Sequence, residues 1–382
     1  MLSNRPSLIF ANAIGFIEAN VIAINEGCTL SAEDKVLVSE FSRSGIGFFE
    51  AQTVGKVPNL ADGGRFHEVP LVIRRDPIFG GQTRFVLGSK LQPEEATDLT
   101  PIITAPGFCP FCPDKIDYVT YPFPAEIVAE GKIMRGRSIV VPNILSYSTY
   151  SAVGVYDRTK HFVAMEEMDS ELVGDLLTGM VDHAKAVRTF DPDARYSSIN
   201  ANYLPPSGSS LVHPHVQSSH DYLPLSSQGH LIDEMAQFKA ETGRGLLGAL
   251  VEAESDLKVR FVGEWGSVSI ITPFAPVGFR EVWIVSRIEG DIVDLDDSQV
   301  ADFARALAFV IKGYVALNLQ SFNFAMTGSG DAKEVGGNVI LRIVARSNPA
   351  ATYRSDVTYF ERLYNESMID VTPEETASFL RG

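Results

Sequence analysis

The sequence predicts an α+β protein made of two related halves, each with helices packed on a sheet. Two observations carry that expectation: a strand-loop-helix order occurs twice along the chain, and the helix in each copy carries one apolar stripe at helical spacing. In the first copy, Ile139 to Val141 and Ala152 to Tyr156 are short strand-forming runs. A helix is then predicted to start at Asp169 or Ser170, either of which can cap it, with Glu171 favourably placed in the first turn. Its stripe is Leu172, Val173, Leu176, Leu177, Met180, Val181, Ala184 and Val187, a face suited to packing on a sheet. In the second copy, Val282 to Val285 is the strand and an acidic turn passes through Asp294 and Asp296. The helix that follows carries Val300, Phe303, Leu307, Val310, Ile311 and Tyr314 on one side. The halves are expected to join near residues 225 to 260. Upstream, Pro70 to Pro77 and Thr83 to Leu87 are predicted strands around a Gly80-Gly81 turn, preceded by a Gly/Pro/Asp loop from Val57 to Gly64. The expected division is an N-terminal extension over 1–65, a first half over 66–230 and a second half over 231–382.

The chain has 382 residues, 45% of them hydrophobic and 21% charged, which is ordinary for a globular protein. Its 32 Lys and Arg against 48 Asp and Glu give a formal charge of -16. No basic cluster is present to release counterions, so a nucleic-acid surface is not expected. Anionic small molecules remain compatible with this balance, because backbone amides, hydroxyls and a few arginines bind phosphate locally. Of the three cysteines, Cys28 stands alone, which points away from a disulfide framework and towards a reduced, cytoplasmic setting. No run is apolar enough to span a membrane. The apolar segment Leu8 to Ile17 lacks a basic lead and is followed by Glu18 and Asn20, which reads against a signal peptide.

The chemistry concentrates in the middle of the chain. Cys109-Pro110-Phe111-Cys112, His161 and His213 supply a complete set of thiolates and imidazoles for a tetrahedral zinc ion. A CxxC pair alone also fits a redox couple, and it is the two histidines in order that favour metal. With four protein ligands the ion has no open position, so its expected role is structural. His215 follows His213 by two residues, and in an extended strand the two side chains share a face about 7 Å apart. All seven histidines lie at or before His230, so the second half supplies none. His67, His183, His220 and His230 read as ordinary histidines, with His183 on the solvated side of its helix.

The run Gly208-Ser209-Ser210-Leu211-Val212-His213-Pro214-His215-Val216-Gln217 resembles the active-site segment of the galactose-1-phosphate uridylyltransferase family, in the histidine-triad superfamily. Arg75-Asp76-Pro77, the cysteine knuckle, Glu264-Trp265 through Pro273 and Thr372-Pro373-Glu374-Glu375 are similar to other segments of that family, so the resemblance covers about residues 66 to 382. It implies two histidine-triad-like halves, each an antiparallel sheet with packed helices, the second degenerate. It implies a nucleotidyltransferase that moves a nucleoside monophosphate from a nucleoside diphosphate sugar to a phosphorylated acceptor, with His215 as nucleophile and Gln217 binding the phosphate oxygens. Asn202, Gly208 and Ser210 are implied phosphate contacts, with Asn200 a competitor for the asparagine role, and Phe360 and Tyr364 are implied sugar-site aromatics. A homodimer is implied as well.

Three positions depart from the family pattern. Val216 stands where a small residue is usual. The second-half strand reads Leu341-Arg342-Ile343-Val344-Ala345 without the histidine pair that sometimes binds a second metal. A lysine and a glutamate of the sugar site are replaced by Tyr359 and Asn365. Because buried polar partners set hydroxyl specificity, these changes keep open a nucleotide-sugar or dinucleotide phosphorylase or hydrolase using the same histidine. A catalytically silent nucleotide-binding protein is the third reading.

Overall fold

A computed structural model describes residues 46–59, 61, 63–86, 95–105, 107–350 and 355–382, together with the backbone of a short strand at 35–37. Most of the expected N-terminal extension lies outside the described residues. Among the described residues, fifteen strands form two sheets. The smaller sheet holds β1 (Lys35–Leu37), β2 (Phe49–Asn59), β3 (Arg65–Arg75), β4 (Gln82–Phe85) and β15 (Glu366–Ile369). Strands β2 and β3 pair along their full lengths, from Phe49 opposite Arg75 to Asn59 opposite Arg65. The predicted loop over Val57 to Gly64 is therefore shorter than expected, because cross-strand pairing extends β2 through Pro58. Residue 65, an expected boundary, begins β3.

The larger sheet has the order β10-β11-β12-β14-β13-β8-β9-β7-β6-β5. Five strands come from the first half of the chain: β5 (Ile133–Arg135), β6 (Ser138–Pro142), β7 (Tyr150–Val155), β8 (Tyr196–Tyr203) and β9 (His215–Asp221). The other five are β10 (Phe261–Trp265), β11 (Val268–Ile271), β12 (Phe279–Glu289), β13 (Phe322–Thr327) and β14 (Asn338–Ala345). All neighbours in this sheet are antiparallel, and β8 pairs with β13 to join the two sets, with Asn202 opposite Asn323. The chain is α+β, with its helices packed on an antiparallel sheet.

Eight helices accompany the sheets among the described residues. Two are single turns, α1 (Thr100–Ile103) and α2 (Ile116–Val119), and they precede α3 (Ser170–Phe190). Asp169 caps α3 by accepting from the Glu171 and Leu172 amides, which satisfies donors that no helical carbonyl can reach. Next come α4 (Ser226–Thr242) and α5 (Leu246–Leu257), which occupy the expected join between the halves, and the 230/231 boundary falls inside α4. The second-copy helix is α6 (Asp297–Ala316), capped by Asp296 through the Gln299 amide. A turn, α7 (Ala332–Val335), and α8 (Pro373–Arg381) complete the set.

Helices α3 and α6 pack side by side on one face of the large sheet. Their predicted stripes form its main core with Val140, Val216, Ile199, Ile284 and Leu341 from the strands. The opposite face is covered at the second-half end by α4, α5 and the turn at Ile78, around Trp283. At the first-half end it is covered by the cysteine knuckle, with Phe111 and Ile116 against Val153 and Val155. The strands between these two covers are left accessible, and that gap positions the site.

The structure corrects one expectation. His183 is buried, not solvated, because α3 packs against both the sheet and α6 and so buries more than a single stripe. Its Nδ1 lies 3.2 Å from Nε2 of buried His220, which also meets the hydroxyls of Ser197 at 2.9 Å and Ser218 at 3.1 Å. Burial pushes the His183 pKa down to about 4, and His220 well below the usual histidine range. Both rings are neutral in the native protein at pH 7. Since the unfolded chain takes up these protons near pH 6.5 and the native one does not, stability is fully present above that value and is lost as pH falls towards 4. The His183 shift alone corresponds to about 3 kcal/mol. Urea titrations at several pH values should show this decline in the unmodified chain, and a flatter profile between pH 6.5 and 4 in His183→Leu.

Candidate functional site

The start of β9 sets the geometry. Side chains alternate along a strand, so Val216 points into the main core while His215 and Gln217 point to the uncovered face. Val155 lies opposite His215 across β7, and Asn200 lies opposite Gln217 across β8. Continued by one residue, the same register brings Asn202 opposite His215. Asn200 and Asn202 share the face with the histidine, and the structure keeps both next to it.

His213 and the knuckle lie just before β9. The ligand atoms of Cys109, Cys112, His161 and His213 all fall within 4.8 Å of one another. A tetrahedral ion with bonds of about 2.0–2.3 Å holds its ligand atoms roughly 3.5 Å apart, so this cluster closes around a metal with small side-chain shifts. Nδ1 of His213 stands 3.7 Å from the Cys109 sulfur, and Nδ1 of His161 stands 3.1 Å from that of Cys112. The far nitrogen of His213, Nε2, is 3.3 Å from the Asp157 carbonyl. A carbonyl only accepts, so Nε2 carries the proton and Nδ1 keeps its lone pair turned to the thiols. Burial, followed by the Cys109 sulfur, pushes the Cys112 thiol up to about 11. That is the condition a divalent cation relieves, since two adjacent thiolates and neutral imidazoles suit it. The four residues fit a metal.

His215 has the complementary arrangement. Its Nδ1 lies 2.9 Å from the backbone carbonyl of His213 and donates to it, which leaves the Nε2 lone pair free. Burial lowers its pKa below the usual histidine value, so the ring is neutral at pH 7. Phe111, held between the two cysteines, packs on the ring at 5.3 Å between centroids. Residue types alone do not single out Phe111, although its position inside the CxxC motif was the available signal.

The remaining predicted residues separate into two groups. Gly208 ends a short turn after β8 with φ of 96°, a left-handed conformation that favours glycine. Its amide bonds to the Pro205 carbonyl at 2.9 Å, so the turn consumes the donor that a phosphate contact through this backbone would use. Ser210 is exposed in the same loop. Phe360 and Tyr364 lie on a short helical turn over Phe360–Tyr364, with Tyr364 exposed. Among the described residues their ring contacts are with Tyr359 alone. Glu361 of that turn lines a cleft whose far wall includes Asn323 and Arg346. Arg342, in the second-half strand that carries no histidines, pairs with buried Glu281 and lies 4.3 Å from the Phe79 ring centre.

No protein-family model matches the chain. An uncharacterized protein of Archaeoglobus fulgidus is 29% identical over 330 residues, spanning 85% of this chain and 96% of that one. Among solved structures, a GalT-like protein from Arabidopsis thaliana superposes with a TM-score of 0.62 at 18% identity, over 81% of this chain and 98% of that one. An ADP-glucose phosphorylase from the same plant, with bound ADP-glucose, gives 0.61 at 19% identity over 81% and 98%. A uridylyltransferase gives 0.56 at 20% identity over 81% and 97%. This chain has the fold of the uridylyltransferases. The likeness agrees with the resemblance carried by the motif from Gly208 to Gln217.

Metal content tests the cluster directly. The purified chain is expected to carry one divalent metal ion, measured by atomic emission. Cys112→Ser and His161→Ala are each expected to lower that stoichiometry about tenfold and to lower the Tm, because binding energy at such a site contributes to folding.

Proposed function

We propose that this protein is a nucleotidyltransferase that works through a nucleotidyl-histidine, with His215 as nucleophile and zinc in the Cys109, Cys112, His161 and His213 cluster. The observation that carries the reading is the tautomer of His215, whose Nδ1 is engaged by the His213 carbonyl while neutral Nε2 is left for attack. Nε2 attacks the α-phosphorus of a nucleoside diphosphate sugar, forming a phosphorus–nitrogen bond as the bond to the sugar 1-phosphate oxygen breaks. In the second step an oxygen of a phosphorylated acceptor attacks the same phosphorus and the phosphorus–nitrogen bond breaks. The Nδ1 proton stays hydrogen-bonded to the His213 carbonyl throughout, so the positive charge that forms on the ring is stabilised where it develops.

Zinc would brace this geometry without entering the chemistry, since its four positions are filled by protein. The knuckle reaches His215 through Phe111 and through the two-residue link from His213. Gln217 and Asn202 offer amide donors beside His215, where the phosphate oxygens would lie. Residues 66–230 would hold the zinc and the reactive histidine, and 231–382 the degenerate half, with a homodimer and a cytoplasmic setting as in the reading of the sequence. A second reading keeps the intermediate but uses inorganic phosphate as acceptor. Tyr359 and Asn365 favour it, because they replace the charged partners a sugar phosphate acceptor is expected to need.

Intact mass spectrometry after incubation with UDP-glucose or ADP-glucose is expected to show one added nucleoside monophosphate per chain. His215→Ala should show none, and Gln217→Ala should form the adduct about a hundredfold more slowly. Folded, metal-loaded protein that forms no adduct with either donor would sink the proposal. Release of a nucleoside diphosphate that depends on phosphate would decide for the second reading.

A further inference from the structure

Beside the candidate site, a line of polar side chains runs from the second half of the chain to Asn202. Asp356 holds Arg346 with two contacts, 2.8 Å to Nε and 2.6 Å to Nη2, and the pair is largely buried. The remaining arm of Arg346, Nη1, donates to Oδ1 of Asn323 at 2.6 Å. Nδ2 of Asn323 then faces three oxygens: Oδ1 of Asn202 at 2.6 Å, the Ser207 carbonyl at 2.9 Å and the Ala201 carbonyl at 3.2 Å.

The chemistry of these partners fixes the direction of every amide. A guanidinium only donates, so the Asn323 atom facing it must be oxygen. Backbone carbonyls only accept, so the atom facing Ala201 and Ser207 must be the NH2 group. The atom of Asn202 that meets this NH2 group is therefore its oxygen, and the NH2 group of Asn202 is left on the exposed side. By strand register that side is the face of His215. Sequence comparison of asparagines cannot supply this polarity, since an asparagine presents either end.

We infer that Asn323 and Arg346 are positioning residues that hold Asn202 with its amide NH2 outward, as a donor to the α-phosphate of the nucleotide donor at His215. This rests on the nucleotidyl-transfer reading. The arrangement also explains a division of labour between the halves: the degenerate half supplies no histidine, yet it sets the polarity of a phosphate contact on the reactive one. The contact with the Ser207 carbonyl extends the same hold to the turn that leads to Gly208 and Ser210.

Asn323→Asp is the informative change, because it keeps size and keeps an oxygen for Arg346. Its carboxylate cannot donate to Asn202, so Asn202 must turn its NH2 group inward and present oxygen to the phosphate. Single-turnover formation of the nucleotidyl adduct from UDP-glucose and ADP-glucose is measured for Asn202→Ala, Asn323→Asp and the double variant, with Tm as a check on folding. Each single change is expected to slow the adduct about tenfold to hundredfold, the range for losing a hydrogen bond to a charged group. The double variant should be no slower than Asn202→Ala within about twofold, since Asn323 acts only through Asn202. Multiplied effects in the double variant would show that the introduced carboxylate acts by charge alone and would overturn the relay while leaving the reaction intact. An Asn323→Asp protein as fast as the unmodified chain would overturn it too. Failure of the unmodified, folded chain to form any adduct would instead remove the functional reading, and the relay with it.

Discussion

The alternation of side chains at the start of β9 is the constraint on which the site depends. His213, just before the strand, sits at the cysteine knuckle, His215 turns to the uncovered face and Val216 anchors the segment in the main core. A slip of one residue would exchange every one of these roles. The anchoring is strong because Val216 is fully buried between β7, β8 and helix α3. Position of the His215 ring is thus a consequence of core packing, transmitted through the backbone of β9.

Two further devices refine that position. The His213 carbonyl accepts from Nδ1 of His215 and so selects the tautomer, and Phe111 supports the ring from the knuckle side. Both belong to residues that would themselves be held by metal ligation. In the proposed mechanism the ion would thus govern reactivity without touching substrate, through a carbonyl on one ligand and a phenyl group between two others. The cover of the large sheet completes the arrangement: helices α4 and α5 shield one end and the knuckle shields the other, with half-buried Asn200, His215 and Gln217 between them.

The second half is more than a structural counterweight. Strand β13 pairs directly with β8, so its side chains share a face with Asn200 and Asn202. Arg346 and Asp356 lie beyond the end of β14, yet they reach the first-half site through one asparagine. In the proposed relay the half without histidines would still take part, by orienting Asn202 on the other half.

Periodicity and spacing by themselves determined the repeated strand-loop-helix order, the helix cap at Asp169, the two core stripes and the four cysteines and histidines that gather in one cluster. These are local or period-based properties, and the residues that produce them are close in sequence or repeat at a fixed interval. Tertiary structure decided the rest. His183 looked solvated because one stripe was counted, whereas α3 is buried against both a sheet and a second helix. The Pro205 carbonyl takes up the Gly208 amide through a turn conformation that residue types alone do not specify. Asn323 and Arg346 reach Asn202 because their placement depends on which strands pair across more than a hundred residues. Pairing at that distance is set by the total packing of both halves, and no short window of sequence contains it.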